Sequence, residues 1–485
     1  MTAAAKTIAE PRAAKTSGLL ERVGDNGLVV AIVLAGAVLP VAAINRMIST
    51  DGWLALVAGR SIVGDGLPST NTLTILGAGR PWVDQQWLGQ VVLYGAERLG
   101  GLPLVLFGHV ALTFAALAIA AAVATRRGAR PEAVGLVTIV ALLPFMIATF
   151  GVRTQTLVYV PFVVLLAAVT SRKPLTWRRT LVLVALLAVW ANLHGSVLVA
   201  AALVSLRGLL EARSLGWREP RSWTLVVAPW AALFATPYAL DVPDYYAQTI
   251  LNPGFGQLAQ WQPTTLSAVS APLFLLAFGF VWILARDRDA YSTYEKVAGG
   301  ALLVLALLAM RNWVWFTLFA VMFLPRGVTG SWQLRSSVGI RRVNAAVALV
   351  AAAALAATIA ATASRPASWY EAEFPPAAAD AVAAAANRRP SATVYATERY
   401  ADWLLWKLPL LAGRLAYDAR FELLEEDELE AIALFRASPV FLEDTLRRHE
   451  IVVLDRTTER RVTAELAQQT DELFGGRRIV VAVRR

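Results

Sequence analysis

Asp51 and Asp84 share one polar segment, 48–101, in a chain that is 57% hydrophobic and 16% charged. Carboxylates held in a loop are the residue types that proton transfer needs. Arg153 and Arg311 occupy short turns between apolar runs, GVRTQT and MRNW. Arginine stays charged in such places and grips phosphate through parallel N–H groups. Gln155 follows Arg153, and Asn192 and His194 share a third short turn, WANLHG. Trp87 lies in GRPWVDQQWLGQ, and Trp261 and Gln262 lie in AQWQP. Two guanidiniums, several carboxylates, amides, an imidazole and indoles make a substrate site if the fold gathers them.

The elements that must position these groups are membrane helices. A charged share of 16% is far below the ~25% of soluble proteins. Apolar runs cover 27–47, 102–124, 132–150, 155–171, 179–192, 195–212, 222–238, 271–286, 297–311, 312–325 and 344–364, about eleven spans. The net charge of +10 does not imply nucleic acid, because the basic residues form no single patch. They recur in alternate loops: TRRGARP, SRKPLTWRR, ARSLGWREPRS, ARDRD and the segment 325–342. By the positive-inside bias these loops and the N-terminal tail, 1–26, are cytoplasmic, and the C-terminus is outside. The expected location is the inner membrane of a bacterium. With no cysteine, disulfides and thiolate chemistry are excluded.

Two regions are not spans. Within 48–101, the stretches TDGWLALVAGRSIV and QWLGQVVLYGAERLGG read as amphipathic helices along the membrane surface. Residues 365–485 read as a small α/β domain. SATVYAT, GRLAYDA, EIVVLD and RRIVVAVRR pattern as strands, and ADWLLWKL, EEDELEAIALFR and SPVFLEDTLRRH as helices, after an alanine-rich helix. The fold class is thus a mainly α polytopic bundle, 27–364, with an outer α/β domain. Its acidic run, LLEEDELE, reads as a solvated helix face.

On this topology Asp51, Asp84, Arg153, Gln155, Asn192, His194, Trp261, Gln262 and Arg311 all fall on the outer side. A charge at the bilayer centre costs about 2.5–3.5 kcal/mol, so such groups face a wet cavity and serve a function. Plainer readings stand beside this one. Asp51 would cap a helix over 52–62, and Asp84 one starting near Gln86. The arginines would snorkel, the tryptophans anchor in the interface, and His194 and His109 serve as satisfied turn and core residues. No P-loop, HExxH, GxSxG or GxGxxG occurs.

TDGWLALVAGR, GRPWVDQQWL, VRTQT, WANLHG, TPYAL, QWQP, MRNW and ADWLLWKLP…YDARFELL together resemble the C-type (GT-C) membrane glycosyltransferases, over nearly the whole chain. The resemblance implies transfer of a sugar from a polyprenyl-phosphate donor to a glycan, lipid or protein acceptor at the outer face. It implies Asp51 as base, Asp84 as second acid, and Arg153 and Arg311 at the donor phosphate. Gln155, Asn192, His194, Trp87, Trp261 and Gln262 are then substrate contacts. Membrane lipids are further partners, nucleic acid is not, and no cofactor is implied. Relatives often read Asp-x-Trp-Trp-His and Asp-His-Glu-Trp, where this chain has Leu54 and Ala55 after Trp53, and Gln85 and Gln86 after Asp84. That departure argues against a metal site. It also keeps open a non-catalytic carrier or assembly protein of the same fold, with a secondary transporter as a third alternative.

Overall fold

The computed structural model describes residues 19–250, 259–287, 289–329 and 338–485. The basic residues 6–15 of the tail and much of the loop 325–342 lie outside these. Helices occupy every apolar stretch: α1 (Leu19–Ala42), then α2 (Thr50–Asp65), α3 (Trp87–Arg126), α4 (Pro131–Thr149), α5 (Tyr159–Val169), α6 (Trp177–Trp190), α7 (Val197–Leu215), α8 (Pro220–Ala231), α9 (Val242–Ile250), α10 (Ala271–Arg286), α11 (Thr293–Leu308), α12 (Trp313–Thr329) and α13 (Val338–Ala363). Three of them are long and apolar enough by themselves to cross a membrane, within α3, α4 and α13. Others are shorter, and the segments Pro220–Phe234 and Ala239–Ile250 meet at 103°. The local signals explain the boundaries. Pro131 and Pro220 start α4 and α8, where a missing N–H costs nothing. Ser292 and Glu295 form a capping box on α11.

The polar segment 48–101 departs from the surface-helix expectation. Residues Gly52–Gly59 of α2 are all buried. A Cβ on Gly59 would stand 2.4 Å from the Gln90 carbonyl, so glycine is what lets α2 lie against α3. The second amphipathic stretch is the first part of α3 itself. It joins the following span across a break at Gly100 and Gly101, the latter with φ 63°.

The C-terminal region adds α14 (Ala367–Tyr370), α15 (Pro376–Arg388), α16 (Glu398–Lys407), α17 (Glu426–Ala437), α18 (Leu442–Arg448) and α19 (Arg460–Gln469). Its sheet runs β1 (Val394–Ala396), β2 (Ile451–Asp455), β4 (Ile479–Arg484), β3 (Thr470–Gly475), with β1 and β2 parallel and the other pairs antiparallel. GRLAYDA does not form a full strand. Leu415 bridges β1 on one side and Thr74 of the first polar segment on the other. Ile75 and Leu76 donate their amides to the carbonyls of Leu415 and Ala416 at 2.8 and 2.9 Å. β3 and α19 were not legible, because TDELFG carries three polar residues and one glycine in six.

Side chains complete the join. Trp53 of α2 packs edge-on against Phe374 with ring centroids 5.3 Å apart, and Phe374 meets Trp403 at 5.7 Å. Arg60 donates to the carbonyls of Leu405 and Trp406 at 2.7 and 2.8 Å, which satisfies the end of α16. One hydrophobic core therefore runs from the helical bundle into the C-terminal region.

Candidate active site

Two turns meet where α2 begins. Val152 donates its amide to the Met47 carbonyl at 2.9 Å, and a Cβ on Gly52 already stands 3.3 Å from Val152. This contact places Asp51, in the first turn of α2, beside Arg153, whose Nε lies 2.9 Å from Asp51 Oδ2. The Nε–H is not aligned for a hydrogen bond, so the contact is an ion pair. His109, buried in α3, fastens the same turn. It lies 2.9 Å from the Thr149 carbonyl through Nε2 and 2.7 Å from the Thr156 hydroxyl through Nδ1. A carbonyl can only accept, so the ring proton is on Nε2 and Nδ1 accepts from Thr156.

Asp51 and Arg153 open into a cavity of about 710 Å³. Gln155, His194, Trp261 and Arg311 line it too, as do Gln86, Gln90, Tyr245 and Tyr246. Arg311, in the turn between α11 and α12, lies over the Trp261 ring at 4.0 Å. His194 Nδ1 accepts the Ser196 amide at 3.0 Å, which leaves the ring proton on Nε2.

The other expected site residues stand outside this lining. Trp87 donates its indole N–H to Asn192 Oδ1 at 2.7 Å, and the Asn192 amide donates to the carbonyls of Ala188 and Ala235, each at 2.8 Å. These two hold the turn that presents His194. Gln262 is exposed beyond the rim. Asp84 is buried and caps no helix. Gln86 is the N-cap of α3, and Asp84 Oδ1 instead accepts from Gln90 Nε2 at 2.8 Å. Its other oxygen has no partner, and burial pushes its pKa up to about 7 although Arg420 pulls the other way. Asp51 caps nothing either, since Ser49 is the N-cap of α2.

Arg420 lines the same small gap as Asp84 and pulls its pKa down. It is itself 2% exposed, forks onto Asp418 at 3.0 and 2.6 Å, reaches Asn71 Oδ1 at 2.8 Å and lies 4.3 Å over the Trp82 ring. Arg80 pairs with Glu428 at 2.6 Å. The stretch GRPWVDQQWL is therefore the seam between the bundle and the C-terminal region. Its Gln85 donates to the Ala191 carbonyl at 2.6 Å.

Sequence reasoning missed what the C-terminal region brings. Glu398, just after β1, and Glu422 both line the cavity. Burial raises Glu422 to about 7. Glu425, Glu426 and Asp427 are exposed, as a solvated run should be. The available signal was YDARFELL, where a single acid stands among apolar residues next to an Asp-x-Arg.

No family model and no curated protein matches the chain. Solved structures do. ArnT from Cupriavidus metallidurans bound to undecaprenyl phosphate superposes with a TM-score of 0.52 at 14% identity, over 94% of this chain and 97% of that one. The archaeal oligosaccharyltransferase AglB from Archaeoglobus fulgidus, in complex with an inhibitory peptide and a dolichol-phosphate, gives 0.52 at 10% identity, over 92% and 72%. The chain has a GT-C fold. At these identities the likeness is one of architecture. It places the protein among polytopic membrane proteins with a helical bundle and a small appended sheet.

Proposed function

We propose that the protein is an integral-membrane glycosyltransferase that moves a sugar from a polyprenyl-phosphate donor to an acceptor at the outer face. The observation that carries this reading is a single cavity shared by Asp51, Arg153 and Arg311. The orientation rests on the arginine-rich loops at the opposite ends of the helices. In this reading 27–364 is the membrane unit and 365–485 an outer domain closing the cavity.

The chemistry follows from charge. An acceptor oxygen attacks the anomeric carbon as the bond to the lipid phosphate breaks. The bonding electrons leave with the phosphate, where Arg311 and Arg153 stabilise them. The acceptor's proton passes to Asp51. Arg153 pairs with Asp51 at 2.9 Å. An incoming phosphate competes for the same guanidinium and releases Asp51 when the donor is in place. Lipid phosphates bound to the neighbouring structures are consistent with such a site: one carries undecaprenyl phosphate, the other a dolichol-phosphate.

The second reading is a non-catalytic protein that binds lipid-linked glycan. It is favoured by Asp84, which turns to Gln90 rather than the cavity. Incubating the purified protein with a panel of polyprenyl-phosphate sugars and acceptors separates the two. Release of lipid phosphate supports the transferase. Saturable binding with no release across the panel would leave only the second reading.

A further inference from the structure

The charges of the cavity sort by whether they already have a partner. Asp51 is held by Arg153. Glu398 is held by Arg436 of α17. Two groups remain. Among the described residues Arg311 makes no ion pair and rests only on Trp261. Glu422 likewise has no ion pair and no side-chain hydrogen bond to another described residue. Its own backbone amide and the field of Arg420, which Asp418 already neutralises, favour the carboxylate, and Arg311 feels its charge across the cavity.

Glu422 is half-buried on the cavity wall, and a carboxyl drawn partly out of water without a side-chain donor costs stability. Such groups cluster where a ligand will complete them. The neighbourhood says what kind. Asp51 and Glu398, the other acids of the cavity, are already paired with arginines, so Glu422 is the unpaired acid there, and a second anionic group placed against it would be repelled. Its pKa, raised to about 7 by burial, lets Glu422 accept or donate a hydrogen bond near neutral pH. Tyr245 and Trp261 supply aromatic surface in the same cavity, and an indole or phenol ring matches the apolar face of a sugar.

We infer that Glu422 binds the acceptor, and that the acceptor presents there a non-anionic saccharide group, a hydroxyl or an amine. The inference rests on the glycosyl-transfer reading of the cavity. Phosphate goes to Arg311, carried by the membrane helices, and acceptor to Glu422, carried by the C-terminal region. The two substrates thus meet at the seam, and the C-terminal region sets acceptor choice.

The test uses the full-length protein in lipid nanodiscs with undecaprenyl phosphate. Three probes are titrated by isothermal calorimetry: methyl glucoside, methyl glucosaminide and methyl glucuronide. The wild type should bind the first two and bind the glucuronide at least tenfold more weakly. E422A should weaken the neutral and amine probes about tenfold. E422Q should weaken the amine probe and erase discrimination against the glucuronide. Both variants should hold undecaprenyl phosphate within twofold of wild type. Equal binding of all three probes, no binding of any probe, or wild-type probe affinities in E422A would overturn the inference. So would loss of undecaprenyl phosphate in E422A, which would make Glu422 a donor-side or folding residue. If the wild type ignores undecaprenyl phosphate but discriminates the probes through Glu422, the donor reading fails and the acceptor site stands.

Discussion

Arg153 Nε and Asp51 Oδ2 stand 2.9 Å apart, an ion pair formed by the meeting of two turns that are remote in sequence. It sits in the same cavity as Arg311, which has a ring beneath it instead of a carboxylate. One arginine is therefore already neutralised and the other is not. This asymmetry decides what each variant should do.

R311A should weaken undecaprenyl phosphate binding by roughly 10–100-fold, the worth of about 1.5–3 kcal/mol for a charge-assisted hydrogen bond. R153A should cost less in binding, because the wild-type protein must first break the pair with Asp51. R153K should fall between R153A and wild type, since a lysine keeps the charge and loses the fork. Binding isotherms in nanodiscs would show the order. Equal loss in R153A and R311A would mean that the ion pair is not a competitor for phosphate.

His109 predicts a positioning effect at a distance from the cavity. H109A removes a donor to the Thr149 carbonyl and an acceptor from Thr156. Leaving such groups unsatisfied costs about 1–3 kcal/mol. The melting temperature should fall, and phosphate affinity should fall with it, as the 149–156 turn that carries Arg153 loosens. H109Q should restore part of both. A melting-temperature loss with unchanged phosphate affinity would reduce His109 to packing alone.

Asp84 gives the pH dependence. Its folded pKa of about 7 lies above its ordinary 3.8, chiefly through burial. Between these values the folded protein holds a proton that the unfolded chain has lost. Stability therefore falls as pH rises through that window and levels off above it. D84N, neutral throughout, should remove Asp84's share of the slope, leaving that of Glu422 and Glu459, and melt higher than wild type at pH 8. Thermal unfolding followed from pH 5 to 8 checks this. An unchanged slope would show that Asp84 does not titrate in the window.

Much of the scaffold was legible because a bilayer leaves few choices. Apolar runs bounded by arginine loops place α1, α3 to α8 and α10 to α13 without tertiary information. Asp51, Arg153 and Arg311 were legible for the same reason, as charges in turns too short to reach far from the apolar runs. The 79–90 stretch was not. Its Asp84 has the residue type of a catalytic acid, but the fold buries it, and the nearest charge acting on it is that of Arg420, more than three hundred residues later. Trp87 and Asn192 read as substrate contacts, and their bond to each other is invisible without the fold. Glu422 was missed because acids near the LLEEDELE run read as solvated, and only the docking of the C-terminal region brings it to the cavity wall. Periodicity reports local structure, while the seam between the two parts is made of long-range contacts.

The central claim is that Asp51 does chemistry on a bound lipid-linked sugar. It is tested most directly by single-turnover release of lipid phosphate from a saturating polyprenyl-phosphate sugar that the wild type consumes, comparing wild type with D51N. Removing a general base costs roughly 10²–10⁴-fold. D51N should therefore release phosphate at least about a hundredfold more slowly while binding the donor as well as wild type or better, because Arg153 is freed. Release by D51N at the wild-type rate would contradict the assignment.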